Sequence, residues 1–234
     1  MGFRLLTSEH YDCLAGFLSV YGSLFVPRLG TFIHTVGTFH SQRGNILFPA
    51  WEQNVLLARN AESFSFIYQE NIDRFGNVSF FDPEKDTHSF DGIDLLYLPG
   101  GYPEKHLEAL VNNEAARKAI KDYAEQGGRI IAECGGMMYL CESIVTDDGE
   151  YPMCGVLPYK ISARKEDRKL SLGYRSFVLD GKEYRGHEFH YTQFMGETPE
   201  SIVQVYNAKG EPVPTPVFRY KNVLASYTHL YEIV

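Results

Sequence analysis

The sequence predicts an α/β protein whose core is a mostly parallel β-sheet. Short apolar segments typical of buried strands recur along the chain, segments with helical apolar spacing lie between them, and Gly- or Pro-containing turns follow. Parallel strands need long crossover connections, so we expect helices on both faces of the sheet. The 234 residues suffice for one such domain with an additional segment.

Composition narrows the classes of partner. Hydrophobic residues make up 44% of the chain and charged residues 22%, and the net charge is −8. That charge argues against nucleic acid or an anionic membrane as partner, and no apolar run approaches the length of a membrane span. The four cysteines lack the spacing of a disulfide framework or a metal site. We therefore predict a cytoplasmic protein without a metal.

Two regions of the chain differ in pattern. Residues 1–53 are predicted to be a segment of unassigned role, and residues 54–234 to form the α/β domain. The domain is predicted to begin with a strand at 54–58, a helix at 63–75, strands at 78–81 and 94–98, and a helix at 113–126. The last helix is well supported, because Asn113 can cap it and Gly127 and Gly128 can end it.

The segment around Cys134 has the pattern of a nucleophile elbow. Residues 130–132 form a short apolar strand, Cys134 follows, and Gly135 opens an apolar segment with the pattern of a helix. A residue at such a turn projects its side chain into a cleft, and a helix N-terminus favours a thiolate. The same pattern is equally consistent with a buried structural cysteine.

A glycine loop precedes this element. Pro99, Gly100 and Gly101 end a predicted strand, and ligands of parallel sheets bind at the C-terminal ends of strands. The two loop glycines and Gly135 are therefore candidates for a site of acyl-group chemistry. In particular, Gly101 and Gly135 could donate backbone N–H groups to an oxyanion. A plain turn would have the same sequence.

The C-terminal part is predicted to be rich in strands, which we place at 171–178, 184–191, 202–206, 217–220 and 223–228. Asp180 and Gly181 favour a hairpin turn between the first two. A cysteine nucleophile needs a base, and His187, His190 and His229 all lie in this part. Spacing alone does not choose among them, and each could instead be a hydrogen-bonded core residue.

Five blocks of the domain together resemble one known family. They are Leu98-Pro-Gly-Gly-Tyr-Pro-Glu104, Ala132-Glu-Cys-Gly-Gly-Met-Met-Tyr-Leu140, Leu172-Gly-Tyr-Arg175, Arg185-Gly-His-Glu-Phe-His-Tyr191 and Val223-Leu-Ala-Ser-Tyr-Thr-His229. In this order and spacing they resemble the C-terminal glutamine amidotransferase domain of cobyrinate a,c-diamide synthases. The resemblance implies a class I-like glutaminase fold, a three-layer α/β sandwich with a flavodoxin-like, mostly parallel central sheet.

The resemblance also implies roles for individual residues. Cys134 would attack the side-chain amide of glutamine, giving a glutamyl thioester and ammonia, and His229 would be the catalytic histidine. Many class I glutaminases have a carboxylate two residues after this histidine, where the present sequence has Tyr231. The family resembles a Cys-His dyad, so this lack is expected, but it leaves the orientation of His229 unexplained. Gly100, Gly101 and Gly135 would bind glutamine and its oxyanion. The residues assigned to the cleft or the acceptor side are Tyr102, Glu104, His187, Glu188 and His190.

The full-length synthases of this family resemble a fusion with an N-terminal domain that activates a carboxylate with ATP. This sequence has no Gly-x-x-x-x-Gly-Lys-Ser/Thr phosphate loop. We therefore predict glutamine as substrate, no cofactor in this chain, and a separate synthetase partner that holds ATP, Mg²⁺ and a tetrapyrrole acceptor; a truncated or diverged reading frame is the alternative. Two other functions stay open, a non-catalytic binding or regulatory module and a cysteine-dependent hydrolase of small amides or peptides.

Overall fold

A computed structural model describes residues 54–232, and the predicted segment 1–53 lies outside the described residues. The strands are β1 (Asn54–Ala58), β2 (Asn77–Phe81), β3 (Leu95–Leu98), β4 (Ile130–Glu133), β5 (Cys141–Val145), β6 (Glu150–Pro152), β7 (Leu157–Ser162), β8 (Ser171–Leu179), β9 (Lys182–His190), β10 (Gln193–Met195), β11 (Val205–Tyr206), β12 (Pro212–Val213), β13 (Val217–Tyr220), β14 (Val223–Ser226) and β15 (His229–Leu230). The helices are α1 (Gln69–Arg74), α2 (Leu107–Asn112), α3 (Glu114–Glu125) and α4 (Gly135–Leu140), with a 3₁₀ turn at Pro103–Lys105.

The central sheet has six strands in the order β13-β14-β4-β3-β1-β2. All neighbouring strands are parallel except the edge strand β13, which runs antiparallel to β14. Strands β3 and β4 are buried along their whole length, as expected for parallel strands covered on both faces. The predicted mostly parallel sheet is confirmed.

Different layers cover the two faces of this sheet. On one face, Leu56 and Ala132 belong to a core cluster with residues of α2, α3, α4 and the four-stranded sheet β10-β7-β5-β6. On the other face, Leu57 and Tyr97 pack in a cluster with Phe177 of the five-stranded antiparallel sheet β12-β11-β8-β9-β15. The three-layer sandwich is confirmed. Helices lie on both faces as expected, since Ile72 of α1 packs on the second cluster. The strand-rich C-terminal part nevertheless covers most of that second face.

Local sequence signals fix several elements as predicted. Asn113 caps α3, since its side chain accepts a hydrogen bond from the Ala116 N–H at 3.3 Å. Asp180 and Gly181 both have positive φ, 52° and 80°, and join β8 to β9 in a tight hairpin. Such a turn needs φ > 0 at both central residues, which Asp and Gly adopt readily. Among residues 54–232, no helix is long and apolar enough to cross a membrane.

The helix predicted at 63–75 is wrong over its first half, because only Gln69–Arg74 is helical. The Asn60 side chain accepts hydrogen bonds from the backbone N–H groups of Glu62 and Phe64, which holds the chain in a turn. Phe66 then makes two backbone hydrogen bonds with Gly100, at 2.9 and 3.2 Å. These long-range bonds replace the helical ones and place the Phe66 side chain beside the glycine loop.

Candidate active site

Cys134 occupies the turn between β4 and α4. Its backbone has φ 44° and ψ −108°, a left-handed conformation that is unusual for a residue with a side chain. The Cys134 N–H donates a 2.8 Å hydrogen bond to the Ser226 carbonyl at the end of the neighbouring strand β14. Such conformations cost roughly 1–3 kcal/mol and persist where the surrounding structure imposes them, often at active sites.

The protonation state of Cys134 differs from the sequence-based expectation. Burial raises the pKa of the Cys134 thiol well above its usual value, the charges of Glu104 and Glu188 raise it further, and the Gly135 N–H opposes them. The Sγ atom lies 3.9 Å from the Phe189 carbonyl oxygen. Helix α4 has only six residues, and its N-terminal potential is outweighed by burial. The resting side chain is therefore a neutral thiol.

The glycines of the site permit close packing between three segments. A Cβ atom on Gly135 would lie 2.6 Å from the Gly101 carbonyl oxygen. A Cβ atom on Gly100 would lie 2.1 Å from Cε1 of His229. The elbow, the glycine loop and the imidazole are therefore in direct contact at one end of the sheet.

The Gly100 N–H donates to the Phe66 carbonyl at 3.2 Å. Gly100 therefore makes room for the His229 ring, and its N–H is already used in the structure. Gly101 and Gly135 remain the predicted oxyanion donors, and Gly135 is the first residue of α4, where backbone N–H groups lack intrahelical partners.

His229 is buried and begins strand β15. Its ring stacks on the His187 ring, with centroids 4.8 Å apart and an interplanar angle of 15°. The Phe66 ring approaches His229 edge-to-face at 4.7 Å and 70°. The next residue, Leu230, donates its N–H to Oε1 of Glu133 at 3.0 Å. The histidine is thus held by ring packing and by the backbone on its C-terminal side.

The sheet topology places Cys134 and His229 at the same edge of the central sheet. Strands β4 and β14 are parallel neighbours, with Glu133 opposite Ser226. Cys134 follows Glu133 directly, and His229 lies three residues beyond Ser226. Both residues therefore leave adjacent strands at the same carboxyl edge, the position at which α/β sheets bind ligands.

Glu133 is a fully buried carboxyl that the sequence analysis did not assign. Burial raises the pKa of Glu133 to about 8, although the hydrogen bond from the Leu230 N–H opposes the shift. The group is therefore mostly protonated at neutral pH. Glu133 directly precedes the candidate nucleophile Cys134, and its hydrogen bond with Leu230 links it to the residue that directly follows the candidate base His229.

Glu188 and His190 lie in the interior, in a buried polar network. Glu188 accepts hydrogen bonds from Arg175 Nε at 2.5 Å and Thr215 Oγ1 at 2.6 Å, and its other oxygen lies 2.7 Å from His190 Nε2. Burial alone would raise the pKa of Glu188, but the bonds from His190 and Thr215 and the positive charges lower it to about 2. The His190 ring also stacks on Tyr227 at 3.6 Å. These buried hydrogen bonds hold the Glu188 carboxylate in place near Cys134.

Tyr102 and Glu104 follow the glycine loop. The Lys105 ammonium lies 4.3 Å from the centre of the Tyr102 ring. Burial raises the pKa of Glu104, and the Lys105 and Arg168 charges oppose it. The Glu104 charge also raises the pKa of Cys134, so this carboxyl lies near the thiol. No group of three or more His, Cys, Asp or Glu side chains in 54–232 is arranged to hold a metal ion.

Sequence reasoning assigned no role to Phe66, Tyr68 or Glu133. Phe66 packs on His229, and the Tyr68 hydroxyl lies 2.9 Å from Nδ1 of His187. The aromatic spacing ahead of α1 was the available signal for the first two, but it also fits a helix. Nothing local marks Glu133, because its partner lies in the last strand.

The protein has a three-layer α/β fold, a cysteine at a strand-to-helix elbow, a glycine loop and a strand-end histidine. This combination is typical of the class I glutaminases. Residues 57–232 match the family of the CobB/CobQ-like glutamine amidotransferase domain. The chain therefore belongs to this family, as the five blocks predicted.

Curated relatives carry related names. The chain is 37% identical over 180 residues to the hydrogenobyrinate a,c-diamide synthase of Pseudomonas aeruginosa, covering 75% of this chain and 40% of the relative. It is 34% identical over 179 residues to the cobyrinate a,c-diamide synthase of Fusobacterium nucleatum, covering 72% and 39%. The chain thus spans about 40% of the length of these relatives.

A solved structure supports the fold. The structure of PurLQS from Thermotoga maritima aligns with a TM-score of 0.52 at 14% identity, covering 76% of this chain and 87% of that one. At this identity the similarity concerns the fold alone.

Proposed function

We propose that this chain is the glutaminase part of an amidotransferase like the a,c-diamide synthases, releasing ammonia from glutamine for an activated tetrapyrrole carboxylate. Family membership supports the glutaminase role, and the names of the relatives support the acceptor class. The observation that carries the mechanism is the strained Cys134 elbow next to the loop on which His229 packs.

In the first half of the reaction, Cys134 attacks the side-chain carbonyl carbon of glutamine. Because burial keeps the resting thiol neutral, its proton passes to the His229 imidazole as the carbon–sulfur bond forms. The backbone N–H groups of Gly101 and Gly135 stabilise the oxyanion of the tetrahedral intermediate. His229 then donates the proton to the nitrogen as the carbon–nitrogen bond breaks, and ammonia leaves a glutamyl thioester on Cys134.

In the second half, water attacks the thioester. His229 accepts one proton from that water, the carbon–sulfur bond breaks, and the proton returns to the Cys134 sulfur. Glutamate leaves and the neutral thiol is restored. One water is consumed for each glutamine, and one ammonia and one glutamate are formed.

The carboxylate that receives ammonia has to be activated by other residues. The 234 residues contain no phosphate loop. The sequence therefore offers no motif that would bind ATP with Mg²⁺. We assign them, together with the tetrapyrrole acceptor, to a synthetase that works with the glutaminase.

A covalent trap tests the proposal without requiring full turnover. The glutamine analogue 6-diazo-5-oxo-norleucine presents an electrophile where the amide would lie, and mass spectrometry of the full chain locates the adduct. We expect one label on Cys134 in the wild type and none in Cys134→Ala. We expect His229→Asn to label at least ~100-fold more slowly, since nucleophile and base act as a unit.

Glutamine hydrolysis, assayed with and without a candidate synthetase, completes the test. Cys134→Ala should abolish glutamate release while keeping the thermal unfolding temperature of the wild type. Residual hydrolysis in this variant would refute the mechanism. A wild-type chain that the analogue does not label would favour the non-catalytic module, and hydrolysis of peptides in preference to glutamine would favour the amide or peptide hydrolase.

A further inference from the structure

In this structure the site has no carboxylate two residues after the candidate base, since that position is Tyr231. Something else must fix the plane of the His229 ring. A histidine can rotate about two side-chain bonds, and a base that is misplaced by 1 Å can cost ~100-fold in rate. The contacts of the ring therefore decide how it is oriented.

The His187 ring stacks face to face on the His229 ring. The two residues are direct partners in the antiparallel pairing of β9 and β15. Directly opposed residues have Cβ atoms only about 4.5–5.5 Å apart, and here the rings stack at 4.8 Å and 15°. The backbone pairing and the ring contact act on the same pair, so the position of one ring limits the rotation of the other.

His187 is itself held in place. The Tyr68 hydroxyl lies 2.9 Å from His187 Nδ1, and the Phe66 ring meets His187 edge-to-face at 5.2 Å and 69°. The Tyr231 ring lies nearly parallel to the His187 ring, with centroids 6.2 Å apart and an interplanar angle of 16°. His187 is thus fixed by a hydrogen bond and by rings on several sides.

The charge state of His187 suits a stacking role. Burial lowers the pKa of His187 to about 4, although the nearby Glu188 charge opposes the shift. Burial also raises the pKa of Tyr68 far above the physiological range, so its phenol stays protonated. The titratable groups around the ring include Tyr68, Tyr231, Glu188 and His229. Tyr174 on β8 is also the direct cross-strand partner of His187. At neutral pH His187 is uncharged and does not repel a protonated His229.

We propose that His187 is the positioning residue of the site: its ring, stacked on His229, orients the base and so takes over the task of the carboxylate found in many class I glutaminases. This inference rests on the proposed role of His229 as the base. In this role His187 acts through the face of its ring, and its nitrogens take no part in proton transfer.

A matched pair of variants separates ring packing from other effects. His187→Phe keeps an aromatic ring for the stack and loses only the hydrogen bond with Tyr68, whereas His187→Ala removes the stack. We expect His187→Ala to lower kcat for glutamine by ~100-fold with little change in KM, and His187→Phe to stay within about fivefold of the wild type. Thermal unfolding of each variant checks that the fold is intact.

A second measurement does not depend on glutamine turnover. The rate of Cys134 alkylation by iodoacetamide, measured from pH 6 to 9, reports how readily the thiol gives up its proton. His229→Ala supplies the reference for a site without a base. We expect the profile of His187→Ala to approach that reference and the profile of His187→Phe to follow the wild type.

The outcomes are distinct. Wild-type kinetics and alkylation in folded His187→Ala would overturn the inference, and so would a His187→Phe variant that is as impaired as His187→Ala. If His229→Ala alkylates like the wild type, there is no positioned base and the inference also fails. Failure of the proposed function alone would look different, because the alkylation profiles would still depend on both histidines while glutamine was not hydrolysed.

Discussion

Gly100→Ala is a steric test of where the His229 ring lies. The new Cβ atom would be 2.1 Å from Cε1 and 2.7 Å from Nδ1 of the imidazole, whereas ordinary contacts begin at 3.4 Å. The backbone at Gly100 cannot retreat easily, because both its N–H and its carbonyl are bonded to Phe66. The ring must therefore move by about 1 Å or more, which corresponds to ~100-fold in rate for a misplaced catalytic group.

The variant should be impaired in activity more than in stability. Overpacking of this kind costs about 1–3 kcal/mol of the free energy of unfolding, and alanine adopts the backbone at residue 100 without a left-handed penalty. The assays are glutamate release, labelling by the glutamine analogue and urea denaturation monitored by circular dichroism.

Gly210→Ala is the matched control. A Cβ atom there meets nothing within 4 Å, but φ is +76°, so we expect a loss of about 1 kcal/mol of stability with unchanged labelling. If Gly100→Ala kept the activity and the unfolding free energy of the wild type, the contact between the loop and the His229 ring, and the reasoning built on it, would be refuted.

Three further predictions concern stability. The folded state raises the pKa of Glu133 from 4.5 to about 8. The stabilising contribution of Glu133 is therefore present below pH 4.5 and is lost as pH rises through 8. Glu133→Gln should remove on the order of 4 kcal/mol of this pH dependence of the unfolding free energy, measured by urea titrations between about pH 5 and 9. Glu188→Ala should cost ~3–5 kcal/mol by leaving the Arg175 guanidinium buried without its carboxylate, and an unfolding free energy near the wild-type value would contradict the network. Asn113→Ala should cost about 1 kcal/mol through the lost bond to Ala116, again measured by urea denaturation.

Much of the first half of the domain could be predicted because its signals are local. The strand at Asn54–Ala58, the capped helix α3 and the elbow at Cys134 each depend on apolar periodicity and on one or two flanking residues. The hairpin at Asp180 and Gly181 likewise follows from the φ angles that these residues tolerate.

The helix predicted at 63–75 shows where local reasoning ends. Its apolar spacing fits a helix, but Phe66 obtains its backbone hydrogen bonds from Gly100, far along the chain. A long-range pairing of this kind leaves no periodic trace in the sequence. It is nevertheless the pairing that places Phe66 against His229.

The sequence by itself determined the family, the class of the central sheet and the two residues, Cys134 and His229, on which the proposed chemistry depends. Only the tertiary structure decided what surrounds them. It showed that burial outweighs the helix terminus and raises the pKa of the Cys134 thiol, and that the His187 ring stacks on the ring of His229. The reason is physical: desolvation and cross-strand packing depend on groups that are distant in the chain and meet only in the folded state.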